Sequence, residues 1–145
     1  MNGLGMKLPR TQRLFFDRAS VLKAVSRAER RTLSRFGAFV RRTARSSIRR
    51  RKRISAPGAA PSSHTGLLRR TIFFAYEPQR SSVVIGPLQL NKGTDAPALL
   101  EQGGRVTRRR RNRSVRLTYR PRPFMGPAFQ REQSRLPALW RNSVR

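Results

Sequence analysis

The stretch SVLKAVSRAERRTLSRFGAFVRRTARSSIRR, residues 20 to 50, sets the architecture of this chain. Its apolar residues recur at steps of three and four, which places them on one side of a helix. They are Val21, Leu22, Val25, Leu33, Phe36, Val40, Ala44 and Ile48. Lys and Arg fill the opposite face. We therefore predict a long basic amphipathic helix that begins at Ser20, its N-cap, and ends in the run RRRKR, Arg49 to Arg53.

After this helix the pattern changes from helical to strand-like. Residues 54 to 66, ISAPGAAPSSHTG, contain prolines and glycines that cannot continue a helix, and they predict an exposed loop. The runs TIFFAY, residues 71 to 76, and SVVIG, residues 82 to 86, are rich in Phe, Val and Ile. The short segment between them suits a hairpin.

A short helix and a second hairpin follow. Pro97 begins the helical turn, which Gly103 and Gly104 close. RVT and SVRLTY then predict a second hairpin over residues 105 to 119, with RRRRNR, residues 108 to 113, at its tip.

The C-terminal segment predicts a last helix in which Pro127 occupies the first turn and Pro137 makes either a kink or a break. The fold class is thus α+β: a long N-terminal helix and a C-terminal helix packed on a small antiparallel sheet built from two hairpins. Residues 1 to 19 are expected to form an extended N-terminal arm, and residues 20 to 145 a single domain.

Charge is the dominant feature of the composition. Among 145 residues, 34 are Lys or Arg and 6 are Asp or Glu, for a net charge of +28. Residues 1 to 80 hold 20 basic and 3 acidic side chains, residues 81 to 104 hold 1 and 2, and residues 105 to 145 hold 13 and 1. Such a density of like charge favours a polyanion or an acidic protein surface as partner.

Several classes of function are excluded or disfavoured. The chain has no cysteine, which excludes a disulfide scaffold and a thiolate metal site. Its longest uncharged stretch is too short to cross a membrane. His64 is the only histidine, and the six acids are widely separated. We therefore expect no enzyme, no cofactor, no metal site and no membrane partner. The acids are expected to pair with nearby arginines.

Two groups of residues are candidates for contacts with partners. Candidate contacts with DNA or an acidic partner are Arg49, Arg50, Arg51, Lys52, Arg53, Arg108, Arg109, Arg110, Arg111 and Arg113. Candidate subunit-interface residues come from the exposed loop, which can reach a neighbour, and from the neutral middle of the chain: His64, Thr65, Leu99, Leu100, Glu101 and Gly103. The large aromatics are expected in the core rather than on a stacking platform: Phe73, Phe74, Phe124, Phe129 and Trp140.

Four segments in this order carry a resemblance to a known family. They are HTGLLRRTI (His64 to Ile72), VVIGP (Val83 to Pro87), LLEQGG (Leu99 to Gly104) and RPFMGPAF (Arg122 to Phe129), placed after a long N-terminal helix. The chain resembles the small tail-completion or neck proteins of long-tailed double-stranded DNA bacteriophages over about residues 20 to 140.

The resemblance implies a structural protein of the virion, made in the host cytoplasm. It would form a ring at the neck or the head-proximal end of the tail, as a hexamer in preference to a dodecamer. Its neighbours would be connector or stopper proteins, tail-tube proteins and the packaged double-stranded DNA. The main alternative is an arginine-rich nucleic-acid-binding protein, ribosomal or nucleoid-like, that contacts phosphates without sequence specificity. A peripheral binder of anionic membranes through the basic helix is the second rival.

Overall fold

The fold is that of a computed structural model, which describes residues 17 to 89, 95 to 110, 113 to 141 and 143. The predicted N-terminal arm lies outside the described residues up to residue 16. The elements follow the predicted order of helix, hairpin, short helix, hairpin and C-terminal helices, so the α+β class is confirmed.

Helix α1, Arg18–Ser47, begins two residues before the predicted start. Oδ1 of Asp17 accepts hydrogen bonds from the N–H groups of Ala19 at 3.0 Å and Ser20 at 3.2 Å. Asp17 is thus the N-cap, and the prediction of Ser20 for that place is wrong. A carboxylate in this place accepts hydrogen bonds from the free N–H groups and also interacts favourably with the positive end of the helix dipole. The hydroxyl of Ser20 donates to the same carboxylate.

Helix α1 ends at Ser47, so the basic run Arg49 to Arg53 follows the helix, and the prediction that this run forms its last turn is wrong. Ile48, already in an extended conformation, is the C-cap and is fully buried. Arg49 then pairs with Ser62 in a short parallel bridge, in which the N–H of Ser63 donates to the carbonyl of Arg49 at 3.0 Å. The predicted loop 54 to 66 is therefore fastened to the end of α1, and Ser55, Pro61 and Ser63 within it are buried.

The first hairpin consists of β1, Ile72–Glu77, and β2, Ser82–Pro87, joined by a 3-10 turn at Pro78–Arg80. Its inner face packs on α1 at Gly37. A Cβ on this glycine would lie 2.9 Å from side-chain atoms of both Phe74 and Val83, so only glycine lets helix and hairpin approach so closely.

The second hairpin consists of β3, Gly104–Arg110, and β4, Arg113–Tyr119. Its strands are longer than predicted, because pairing continues to Arg110 opposite Arg113. The predicted tip residues Arg108, Arg109, Arg110 and Arg113 therefore lie on strands, and Arg111 lies outside the described residues.

The two hairpins form two separate two-stranded sheets. The expectation of one sheet is wrong in this respect, because hairpin β1–β2 packs along α1 while β3–β4 leaves the body of the protein. Of the described side chains of β3–β4 none is fully buried, and only three are half-buried: Val106, Leu117 and Tyr119.

Four further helices complete the fold. Helix α2, Leu67–Arg70, is a single turn that sequence patterning did not predict. Helix α3, Ala96–Gln102, begins at Asp95, whose Oδ1 accepts from the N–H of Ala98 at 3.2 Å. The C-terminal segment forms two pieces, α4, Met125–Gln133, and α5, Leu136–Trp140. Of the kink or break predicted for Pro137 the structure shows the break, which lies at Ser134 and Arg135 and leaves Pro137 in the first turn of α5.

The core lies between α1, the first hairpin and α4. Its buried apolar residues are Phe36, Val40, Ala44, Ile48, Leu68, Ile72, Phe124 and Ala128. The expectation that the large aromatics are core holds for Phe124 and, half-buried, for Phe74. Phe73, Phe129 and Trp140 are 46 %, 44 % and 38 % exposed, so for them it is wrong. Phe73 lies on the outer face of β1, and Phe129 packs edge-on against Phe36 with ring centroids 5.6 Å apart.

Candidate polyanion-binding surface

Three of the six carboxylates of this chain accept hydrogen bonds from backbone N–H groups at the start of a helix. Asp17 and Asp95 cap α1 and α3. Glu101 spans to the start of α4, where Oε2 accepts from the N–H groups of Phe124 at 2.8 Å and Met125 at 3.0 Å. Its Oε1 accepts from the N–H of Gly126 at 2.8 Å. One carboxylate thus satisfies three donors at a helix N-terminus, where the dipole also favours negative charge.

Only Glu132 forms an ion pair among the described residues. It is 3 % exposed, its Oε2 lies 3.1 Å from Nη1 of Arg135, and its Oε1 accepts from the hydroxyl of Thr43 at 2.6 Å. The expectation that the acids pair with nearby arginines is confirmed for Glu132. It is wrong for Asp17, Asp95 and Glu101 as far as the described part of the chain goes, where none of the three forms an ion pair. The positive charges of the described surface are consequently left almost without intramolecular compensation.

The pKa of the Asp17 carboxyl is lowered, chiefly by the hydrogen bond from the Ser20 side chain and then by the Ser20 backbone N–H. The carboxylate form is therefore the one that caps α1. The carboxylate is fully exposed. It stabilises the first turn of α1 through its bonds to the N–H groups of Ala19 and Ser20.

A groove of about 560 Å³ brings the basic run after α1 against the base of the second hairpin. We call it the basic groove. Its cationic side chains are Arg51, Lys52, Arg53, Arg120 and Arg122, and no carboxylate lines it. Arg120 and Arg122 come from the segment after β4, some 70 positions along the chain from the first three.

Two of these guanidiniums are held in place by neutral partners. Nε of Arg51 donates to Oγ of Ser62 at 2.8 Å, and Nε of Arg122 donates to the carbonyl of Ser55 at 3.0 Å. Because neither partner is an acid, these bonds orient the side chains without neutralising them. An anion that enters the groove meets oriented, uncompensated forks of N–H donors.

A second basic region follows one side of α1 to α2. It borders two adjoining shallow depressions of about 440 and 310 Å³. Its six arginines, which we call the arginine face, are Arg41, Arg42, Arg45, Arg50, Arg69 and Arg70. Arg41 is fixed by its bond to the carbonyl of Ile72 at 2.8 Å, with its guanidinium 5.6 Å from the ring centre of Phe73. Arg42 lies 5.3 Å from the ring centre of Phe39. Stacking on aromatics leaves the charges available to solvent.

The second hairpin is the third basic region, and its two faces differ. By strand alternation one face carries three arginines among hydroxyl side chains. These residues are Arg105, Thr107, Arg109, Ser114, Arg116 and Thr118. The opposite face has an apolar stem at Val106, Leu117 and Tyr119, with Arg108 and Arg113 farther out.

The predicted subunit-interface residues do not form one surface. His64 is exposed and lines the basic groove, whereas Thr65 is exposed beside the arginine face. Glu101 is half-buried, and its carboxylate already accepts hydrogen bonds from the backbone at the start of α4.

The other three residues of that set take part in contacts within the chain. The backbone carbonyl of Leu99 accepts from the N–H of Gly103 at 2.9 Å, and the carbonyl of Leu100 accepts from the N–H of Arg122 at 2.6 Å. Gly103 has φ +75°, and a Cβ there would lie 2.9 Å from the carbonyl oxygen of Tyr119. Leu99, Leu100, Glu101 and Gly103 therefore have structural roles, and their place in a subunit interface stays a prediction.

Sequence reasoning predicted part of the basic groove and missed the rest. It identified Arg51 to Arg53 but not Arg120 and Arg122, although the sequence RPRP places two prolines that restrict the backbone beside these arginines. The arginine face was visible as the polar side of the first helix, but not its junction with Arg69 and Arg70.

No protein-family model, curated protein or solved structure matches this chain. The functional inference therefore depends on the residues and their arrangement. Within the described ranges no helix is both long and apolar enough to cross a membrane.

Proposed function

We propose that this chain is a structural subunit of a virion ring, at the neck or the head-proximal end of a phage tail, that completes the tail and joins it to the capsid connector. The main support from the structure is the second hairpin. A two-stranded hairpin is marginally stable in water by itself. This one has no fully buried side chain in its described part and is strongly cationic. Contact with a neighbouring molecule would stabilise it.

The first third of α1 gives independent support. Residues 18 to 27 include no buried side chain. Even their large apolar residues, Val21, Leu22 and Val25, are 42 %, 55 % and 44 % exposed. About 15 Å of helix at 1.5 Å per residue thus carries apolar side chains away from the core. An amphipathic helix end of this kind suits the interface between subunits of a ring.

The motifs behind the resemblance also meet in space. LLEQGG and RPFMGPAF, separated by some 20 residues, are joined through the three hydrogen bonds of Glu101. These bonds support treating the two segments as parts of one structural unit. In this proposal the basic regions face packaged DNA in the channel or acidic surfaces of partner rings.

The experiment is a measurement of assembly by mass photometry and negative-stain microscopy. We expect a ring of six subunits, with twelve as the alternative. Replacing Leu22 and Val25 with Gln should dissociate it. The matched control replaces Lys23 and Arg27, on the other side of the same helix, with Gln and should leave it intact.

A chain that stays monomeric at every concentration tested, and that is missing from purified phage particles carrying its gene, refutes the proposal. Recovery from such particles by mass spectrometry supports it. Equal loss of assembly in both variants would move the interface away from this face of α1.

The alternative function is an arginine-rich nucleic-acid-binding protein that contacts phosphates without reading sequence. The observation in its favour is the basic groove, with five cations and no acid. A monomer that binds RNA or DNA tightly at low salt, with a steep salt dependence and no preference among sequences, would favour this function over the ring.

A further inference from the structure

We propose that the basic groove binds a single strand of nucleic acid, with the phosphodiester backbone along its arginines and an unpaired base against Tyr119. The five cations converge from two segments far apart in sequence, residues 51 to 53 and 120 to 122. The fold therefore gathers in one groove a charge density that suits a strand with a phosphate at every nucleotide. This inference does not depend on the ring proposal.

The walls of the groove offer more than charge. Ile54 is 77 % exposed and Tyr119 half-buried, and both line the groove beside the arginines. A phosphodiester strand presents a charged backbone together with flat apolar bases, and it uses both kinds of contact. A run of Asp and Glu alone would use the cations but has no flat apolar group to lie against Tyr119.

Ser55 fixes the position of one groove arginine. The residue lines the groove and is 3 % exposed. The backbone of the same residue holds Arg122 through a 3.0 Å bond from Nε.

The choice of a single strand over a duplex follows from Tyr119. In a duplex the faces of the bases are covered by their stacked neighbours, and only an unpaired base can lie on an aromatic side chain. The hairpin that carries Tyr119 also bounds the groove on one side, which suits a thin, flexible strand.

The test is fluorescence anisotropy with a labelled ten-nucleotide oligothymidine, a duplex of the same length and the full chain at 0.15 M salt. The variant Arg53→Ser with Arg120→Ser removes two exposed groove cations for which the structure shows no side-chain hydrogen bond. We expect it to weaken single-strand binding about tenfold and to lower the magnitude of the salt slope by about 1.4.

The matched control is Arg27→Ser with Arg30→Ser, which removes the same charge from exposed positions of α1 outside the groove. It should change the affinity less than about threefold, as expected for charges that contact no phosphate. Tyr119→Leu should weaken binding about tenfold with the salt slope unchanged, since stacking releases no counterions.

Three results would overturn the inference. Equal losses in the groove variant and the control would mean diffuse attraction by the whole chain. A duplex that binds at least as tightly as the single strand, with the same sensitivity to the groove variant, would remove the role of the unpaired base. Polyglutamate of matched charge that displaces the strand as well as unlabelled oligothymidine does would indicate an acidic protein partner. A failure here leaves ring assembly untouched, because that is measured without nucleic acid.

Discussion

Replacing Glu101 with Ala should be among the most destabilising single changes at a charged residue of this protein. The carboxylate accepts three backbone N–H donors at the start of α4, from Phe124, Met125 and Gly126, at 2.8 to 3.0 Å. Phe124 is 1 % exposed and belongs to the core. Loss of the carboxylate therefore leaves donors unpaired beside a buried ring.

The magnitude follows from how many of the three donors water can reach. The N–H of Gly126 is at an exposed residue, where water can replace the carboxylate. The other two bonds are partly buried, and a hydrogen bond to a charged group contributes about 1.5 kcal/mol at the low end. With a few tenths more from the helix dipole, the free energy of unfolding should fall by about 3 kcal/mol. Glu101→Gln, which keeps one oxygen acceptor, should cost about half as much.

Urea unfolding followed by circular dichroism measures this change. With an m-value of about 2 kcal/mol/M, the midpoint of the Ala variant should drop by about 1.5 M. Any lost acid also raises self-repulsion in a chain of net charge +28. Glu77→Ala therefore serves as the control, because the Glu77 side chain has one 3.3 Å bond from a serine hydroxyl and makes no capping hydrogen bond to a helix. If the Glu101 and Glu77 variants agree within about 0.5 kcal/mol, the capping role is refuted.

Three further predictions test the packing and the other carboxylates. Gly37→Ala should lower the free energy of unfolding, measured in urea, by about 1–3 kcal/mol, because the new Cβ would lie 2.9 Å from side chains of the first hairpin. This cost should exceed the gain from the higher helix propensity of Ala, and an increase in stability would contradict the close approach. Ser20→Ala should raise the pKa of Asp17 toward its ordinary value, seen by NMR titration of the carboxyl carbon. Since folding lowers that pKa, the capping contribution is present at neutral pH and disappears as the pH falls through the folded value; an unchanged titration would exclude the hydroxyl as the cause. A double-mutant cycle of Thr43→Val and Glu132→Leu, each of which removes one partner of the bond, should give a coupling of about 1–2 kcal/mol, and a value near zero would mean that their 2.6 Å bond is not formed in solution.

The elements of this fold that could be predicted from sequence are those with a local signal. The first helix shows a sustained three-and-four periodicity, and the strands of the first hairpin show a run of aromatic and β-branched residues. Pro137 predicts a kink or a break in the C-terminal helix from its missing N–H alone. Each of these features depends on neighbours within a few residues of one another.

The features that sequence reasoning missed depend on distant contacts. Nothing near Glu101 shows that its carboxylate reaches the backbone of residues 124 to 126. In the same way, the separation of the hairpins into two sheets is decided by what each packs against. The single turn of α2 is too short for a periodic pattern. The basic groove forms because the chain after the second hairpin lies against the loop that follows α1. There the N–H of Gly58 donates to the carbonyl of Pro121 at 2.8 Å.

The contacts of the acids leave most of the positive charge of this chain unneutralised. Three of the six acids cap helices through backbone N–H groups, and only Glu132 pairs with an arginine among the described residues. The groove arginines are meanwhile oriented by a serine hydroxyl and a backbone carbonyl, which leave their charge intact. A fold that orients its cations without neutralising them retains its electrostatic attraction for an external polyanion, and this holds whether that polyanion is a nucleic acid in the groove or a neighbouring component of a virion.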